Sequence, residues 1–116
     1  MRRTVITGLG IISSIGNTIG EVRESLKNLS SGITVNETNK TMGLRSQISG
    51  NIKNLDLKEL IDRKNYRFMG DAAAYGYLSA LQAIEDSNLT LQDISNNRTG
   101  FIMGSGGAES NTQLTL

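Results

Sequence analysis

Between Asp62 and Ser87 the chain reads DRKNYRFMGDAAAYGYLSALQAIEDS, and from Ala72 through Leu81 no residue of it carries a charge. Good helix formers dominate, proline is absent, and Gly70 and Gly76 are the only poor helix formers, so propensity predicts one long helix. Phe68, Ala72, Gly76, Ser79 and Ala83 fall at steps of three and four and make a stripe of mostly small side chains; Met69, Ala73, Tyr77, Leu81 and Ile84 make a second stripe. A helix lying on a core shows one apolar and one charged face. This one lacks the charged face and is expected to be buried nearly all round. The Ala72, Gly76, Ala80 spacing also lets another backbone come close. A membrane span is excluded, because Tyr75, Tyr77, Ser79 and Gln82 interrupt a run already short of the roughly 20 apolar residues a bilayer needs. An ordinary core helix of a small domain is the other reading.

The amino end of the same stretch is anomalous. Arg63, Lys64 and Arg67 stand in what would be its first turns, where the macrodipole already presents positive charge and Asp or Glu is favoured. Arg63 and Arg67 share a face at i, i+4 with Lys64 beside them, a compact cationic patch suited to an acidic partner. Solvated surface charge, offset by Asp62 and Asp71, is the alternative.

The 116 residues suffice for one domain at most, and they include 13 glycines but no proline, cysteine or histidine. Without cysteine there are no disulfides and no thiol nucleophile; without histidine the usual general base and a common metal ligand are also missing. The formal charge of +1 does not imply nucleic acid as a partner, so any acidic partner must be met locally. Met1-Arg2-Arg3 passes directly into a strand-like run without the apolar stretch of a signal peptide, which predicts a cytoplasmic protein.

Thr4 to Gly8 is a β-branched run without polar alternation, as expected of a strand covered on both faces in a parallel sheet. Gly8-Leu9-Gly10 follows and suggests a dinucleotide-binding turn, but Ser13 occupies the third glycine position. The best helix start, Thr18 with Glu21 at capping-box spacing, also comes several residues too late to meet a phosphate there. A helix is predicted from about Ile19 to Leu29, with Ile19, Val22, Leu26 and Leu29 on one face and Gly32 available as a left-handed cap. Residues 33–54 form a polar surface excursion with a possible strand over Ile33 to Glu37. Asp56 caps one or two turns ending at Ile61, Asn88 stops the long helix, and Leu89 to Ile94 makes another short turn. Arg98 to Met103 reads as a second buried strand ending in Gly104-Ser105-Gly106-Gly107, where a ligand can approach the backbone. No Gly-Lys-Ser/Thr follows, which excludes a phosphate loop. The pattern is α/β, a βαβ-like unit with an insertion, and it needs further strands to cover the apolar surface it creates. A fragment, or a chain that depends on others, is expected.

Three stretches, RTVITGLGIISSIGN at 3–17, LIDRKNYRFMGDAAAYGYLSALQAIEDSNL at 60–89 and RTGFIMGSGGAES at 98–110, together resemble the opening of a β-ketoacyl-acyl carrier protein synthase of bacterial fatty acid synthesis. The Gly-Ser-Gly-Gly run is closer to the type I branch than to type II. The resemblance implies that residues 1–116 are the N-terminal portion of a thiolase-like domain. That fold is a layered αβαβα arrangement, here with an incomplete mixed sheet and a long buried helix, in an enzyme that works as a homodimer. It implies acyl transfer from acyl carrier protein to a cysteine, then decarboxylative condensation with malonyl-carrier protein assisted by a pair of histidines. Those groups are absent here, so the chain alone is expected to be inactive, with no catalytic residue, metal or cofactor. Arg63, Lys64 and Arg67 match the basic patch that meets the carrier protein, and Gly107 matches a position lining the acyl pocket. A dinucleotide-binding fragment and a noncatalytic interaction module remain the alternatives.

Overall fold

The computed structural model describes residues 2–106, which divide into two compact units: residues 11–55, and a second unit of residues up to 10 together with those from 56 onward. In the first unit, helix α1 (Ile19–Lys27) begins where its caps dictate. The Thr18 hydroxyl accepts from the Glu21 N–H at 3.2 Å, and the Glu21 carboxylate accepts from the Asn17 N–H at 2.7 Å, so both ends of the predicted cap are used, the second one residue early. The helix stops at Lys27 rather than Leu29, because Leu29 takes the left-handed position (φ 54°) and the Ser30 N–H returns to the Ser25 carbonyl at 2.8 Å. Gly32 is not the cap. It is buried against Ser14, whose carbonyl oxygen would lie 2.5 Å from a Cβ there.

The excursion at 33–54 is more ordered than its composition suggests. Strand β1 (Ile33–Val35) pairs antiparallel with β2 (Ile48–Gly50) in the register Ile33↔Gly50, Thr34↔Ser49, Val35↔Ile48. Helix α2 (Glu37–Thr41) connects them, opened by the Asn36 side-chain Oδ1 accepting from Asn39 N–H at 3.0 Å and closed by Gly43 at φ 66°.

In the second unit, α3 (Leu57–Leu60) is capped by Asp56, which accepts from Lys58 N–H at 2.9 Å. The predicted helix over 62–87 is two helices, α4 (Arg63–Tyr66) and α5 (Asp71–Ser87), separated by the turn through Arg67, Phe68, Met69 and Gly70. Gly70 is the reason: it takes an extended backbone (φ −77°, ψ 167°) as the N-cap of α5, and Asp71 then supplies the acid that the first turn favours. Burial nearly all round does not hold either. Within α5, Ala74 and Leu78, one turn apart, are buried, while Leu81 is 42% exposed. Together with Ile61 they make up the small core of the described residues.

The two predicted strands at Thr4–Gly8 and Arg98–Met103 do not form. Among the described residues the only sheet is the β1–β2 pair, so the mixed sheet expected from the resemblance is not assembled. A β-branched run becomes a strand only when a neighbour takes its hydrogen bonds, and here Ile6 is 81% and Ile102 98% exposed. Asn88 ends α5 at φ 55° as expected, and α6 (Leu91–Ile94) opens on a capping box between Thr90 and Asp93.

The small stripe of α5 has a partner. A Cβ on Gly8 would overlap the Ala83 carbonyl oxygen and stand 2.6 Å from Ser87 N; one on Gly10 would overlap the Ser79 carbonyl oxygen and stand 2.8 Å from Ala83 N. The backbone at 8–10 therefore lies directly on the helix backbone, with Leu9 N–H donating to the Asp86 carboxylate at 2.9 Å. Gly76 receives a side chain instead: Met103 Sδ would be 2.9 Å from a Cβ there.

Gly10→Ala is expected to destabilise the chain by about 1–3 kcal/mol or more, as overpacking does, in a urea melt. Gly20→Ala on α1, where a Cβ meets nothing nearer than Thr18 Oγ1 at 3.9 Å, is expected to stabilise it by about 0.4–1 kcal/mol. The Thr90 hydroxyl and then the Thr90 N–H, both donating to Asp93, hold that carboxyl below its ordinary 3.8. The cap of α6 is therefore intact above pH 3.8 and is lost as pH falls through the lower folded value. An NMR titration in which Asp93 protonates at or above 3.8 would contradict this.

Candidate functional site

The three cations marked by the sequence are brought together and exposed. Asp62, Arg63, Lys64, Asn65 and Tyr66 coil into one turn because Asn65 N–H and Tyr66 N–H both donate to the Asp62 carbonyl at 2.9 Å. The coil continues through Arg67 N–H to the Arg63 carbonyl at 3.4 Å and Phe68 N–H to the Asn65 carbonyl at 3.2 Å. Arg67 is the C-cap of α4, so the expected conflict between these cations and the positive end of a long helix does not arise. The side chains of Arg63, Lys64 and Arg67 stand in solvent, and the surface ion pairs Lys27–Glu24 (2.9 Å) and Lys40–Glu37 (3.8 Å) engage none of them. Arg67 holds its guanidinium carbon 4.9 Å from the centroid of the Phe68 ring, a cation–π distance. Spacing alone puts Phe68 on the small stripe of a long helix; the break at Gly70 moves it into the basic turn, where the residue is 80% exposed. The signal for this was the unfavourable dipole itself, which a helix break ahead of Asp71 removes.

A cavity of about 390 Å³ lies in the unit of residues 11–55, lined by Ser13, Ser14, Asn17, Glu21, Ser25 and Lys53 among others. Its polar groups hold a turn. Ser13 Oγ donates to the Gly16 carbonyl at 3.1 Å, Ser25 Oγ donates to the Ile15 carbonyl at 2.6 Å, and Asn17 Nδ2 donates to the Lys53 carbonyl at 2.6 Å. With no histidine in the chain these hydroxyls lack the customary base, and both donate to backbone carbonyls. Among the described residues no group of three or more His, Cys, Asp or Glu is placed to hold a metal, and no helix is long and apolar enough to cross a membrane. Gly107, the pocket-lining candidate, lies outside the described residues.

The dinucleotide alternative fails on geometry. Gly8 and Gly10 are glycines because α5 occupies the space a Cβ would take, and the intervening Leu9 N–H is already bonded to Asp86. A pyrophosphate would have to displace the helix.

Comparison with known proteins gives the class. Residues 1–116 match the family model described as Beta-ketoacyl synthase, N-terminal domain, and the chain belongs to the β-ketoacyl synthase family. Within it, the chain is 56% identical over 114 residues to the "3-oxoacyl-[acyl-carrier-protein] synthase 1" of Haemophilus influenzae, covering 98% of this chain and 28% of that protein. The protein of the same name from Escherichia coli strain K12 is 51% identical over 115 residues, with 98% and 28% covered. The "3-oxoacyl-[acyl-carrier-protein] synthase 2" of Vibrio cholerae is 33% identical over 105 residues, covering 90% of this chain and 25% of that protein. The similarity is thus greater to synthase 1 than to synthase 2, as the Gly-Ser-Gly-Gly run suggested. The chain spans little more than a quarter of the length of these relatives.

Titration with NAD is expected to leave the amide resonances of Gly8, Leu9 and Gly10 unmoved; saturable shifts there would restore the dinucleotide reading.

Proposed function

We propose that this chain is the N-terminal portion of a type I β-ketoacyl-acyl carrier protein synthase, which lengthens fatty acyl chains by decarboxylative condensation with malonyl-carrier protein. The observation that carries the reading is 56% identity over 98% of the chain to a synthase 1. On this reading residues 1–116 form one part of a thiolase-like αβαβα domain in a cytoplasmic homodimer, with 33–54 as an excursion. Condensation by acyl-enzyme needs a thiol nucleophile and groups that stabilise developing negative charge. The chain has no cysteine or histidine, so by itself it transfers no acyl group. It requires no metal or cofactor, and neither nucleic acid nor membrane is its partner.

What this portion contributes is recognition. Arg63, Lys64 and Arg67 form the docking surface for acyl carrier protein, and the exposed basic turn supports that role: among the described residues no ion pair of the kind seen at Lys27 and Lys40 competes for its charges. Gly107 lines the acyl pocket, where the lack of a side chain leaves room for the chain of the substrate.

Binding to acyl carrier protein, followed by calorimetry at several salt concentrations, tests the assignment. The expected result is an affinity that falls with salt and drops about tenfold or more in Lys64→Glu, which replaces an attraction with a repulsion. Equal affinity of Lys64→Glu and the parent chain would remove the basic turn from the docking surface.

A further inference from the structure

The basic turn presents more than charge. Phe68 is 80% exposed, although fully burying a phenylalanine is worth about 1.5–3 kcal/mol, and it is held there by the hydrogen bond from its own N–H to Asn65 and by Met69 N–H donating to the Tyr66 carbonyl at 2.9 Å. The ring is therefore displayed by a closed turn. Arg67 stacks on it, which orders the guanidinium while leaving its edge free to meet a carboxylate.

We infer that Phe68 is the apolar anchor of the docking surface, seated on the acidic carrier between the carboxylates that meet Arg63, Lys64 and Arg67. This rests on the carrier-docking reading above and assigns separate tasks within it. Charges at an interface mainly set the rate of encounter, whereas a desolvated aromatic flanked by arginine holds the complex and sets its dissociation rate. The same charges argue against a second copy of this chain as the occupant of the ring. Two copies meeting through this turn would bring two sets of Arg63, Lys64 and Arg67 together, and like charges facing one another oppose association. An acidic partner converts that repulsion into attraction.

The test compares the parent chain, Phe68→Ala, Phe68→Leu and Lys64→Glu, with apo acyl carrier protein as the probe, by association and dissociation rates at several salt concentrations. Circular dichroism and the sedimentation of each variant alone accompany the rates. The expected result is that Phe68→Ala binds about tenfold more weakly through faster dissociation, with the salt dependence of the parent. Lys64→Glu should instead slow association and flatten the salt dependence. Should Phe68→Ala lose its helical signal, Phe68→Leu carries the test: it keeps apolar bulk but not the ring under Arg67, and is expected to bind a few-fold more weakly. Carrier binding at parental strength by the folded Phe68 variant, while Lys64→Glu binds weakly, overturns the anchor and leaves the docking surface standing. Loss of self-association in that variant, with carrier binding unchanged, assigns the ring to a contact between copies and also overturns it. Failure of the parent chain to bind carrier at all overturns both readings.

Discussion

The unit built around α5 depends on a backbone-to-backbone contact made possible by what is missing. At Gly8 and Gly10 the chain lies against the carbonyl oxygens of Ala83 and Ser79, and no residue with a Cβ fits at either place. The helix contributes to the approach by presenting Ser79, Ala83 and Ser87 where larger side chains would hold the segment off. Such an approach loses the burial that large side chains provide, and the described core is correspondingly small: Ile61, Ala74 and Leu78. A hydrogen bond from Leu9 N–H to the Asp86 carboxylate ties the segment to the helix. Contact between the two elements thus rests on fit more than on buried area, and a single methyl group at Gly10 is enough to spoil it.

How far these features were legible in the sequence follows from the range of the forces involved. Thr18, Asp56 and Asn88 were readable as helix boundaries because a cap is decided within about four residues of itself. The small stripe on α5 was readable too, as a demand for close approach, although its partner was not. That partner is the glycine pair which, read alone, suggested a phosphate turn. Pairing in the excursion is not legible, because Ile33–Val35 and Ile48–Gly50 are short and separated by a mostly polar stretch. Asn36 ahead of Glu37, and Gly43 after Met42, were the available clues to the helix that folds them together.

The strands at the two ends of the sequence pattern illustrate the opposite failure. Val5, Ile6, Phe101 and Ile102 have the composition of buried strands, and each is more than half exposed in the structure. Composition records what a segment does when a neighbour is present, while hydrogen bonding requires that the neighbour exist. Relatives of this chain are more than three times its length, since it covers 28% of them. If the chain is part of such a synthase, as proposed, the polypeptide beyond it is available to complete the ladder and cover these side chains. The apolar surface left in water is then a record of the larger fold, written in residues that cannot satisfy themselves.

The basic turn shows why a local misfit can be more informative than a local fit. Three cations at the positive pole of a long helix would each have cost a few tenths of a kcal/mol. The chain avoids that cost by ending α4 at Tyr66 and restarting at Asp71, so that an acid rather than a cation occupies the first turn of the 17-residue helix. The break has a second consequence that dipole arguments alone do not supply. It places Arg67 and Phe68 side by side on a turn, guanidinium over ring, instead of on adjacent faces of a continuous rod. Both side chains consequently reach solvent from one short stretch of fixed backbone. Charge and apolar area displayed together in this way are the elements from which a small, salt-sensitive binding surface is made.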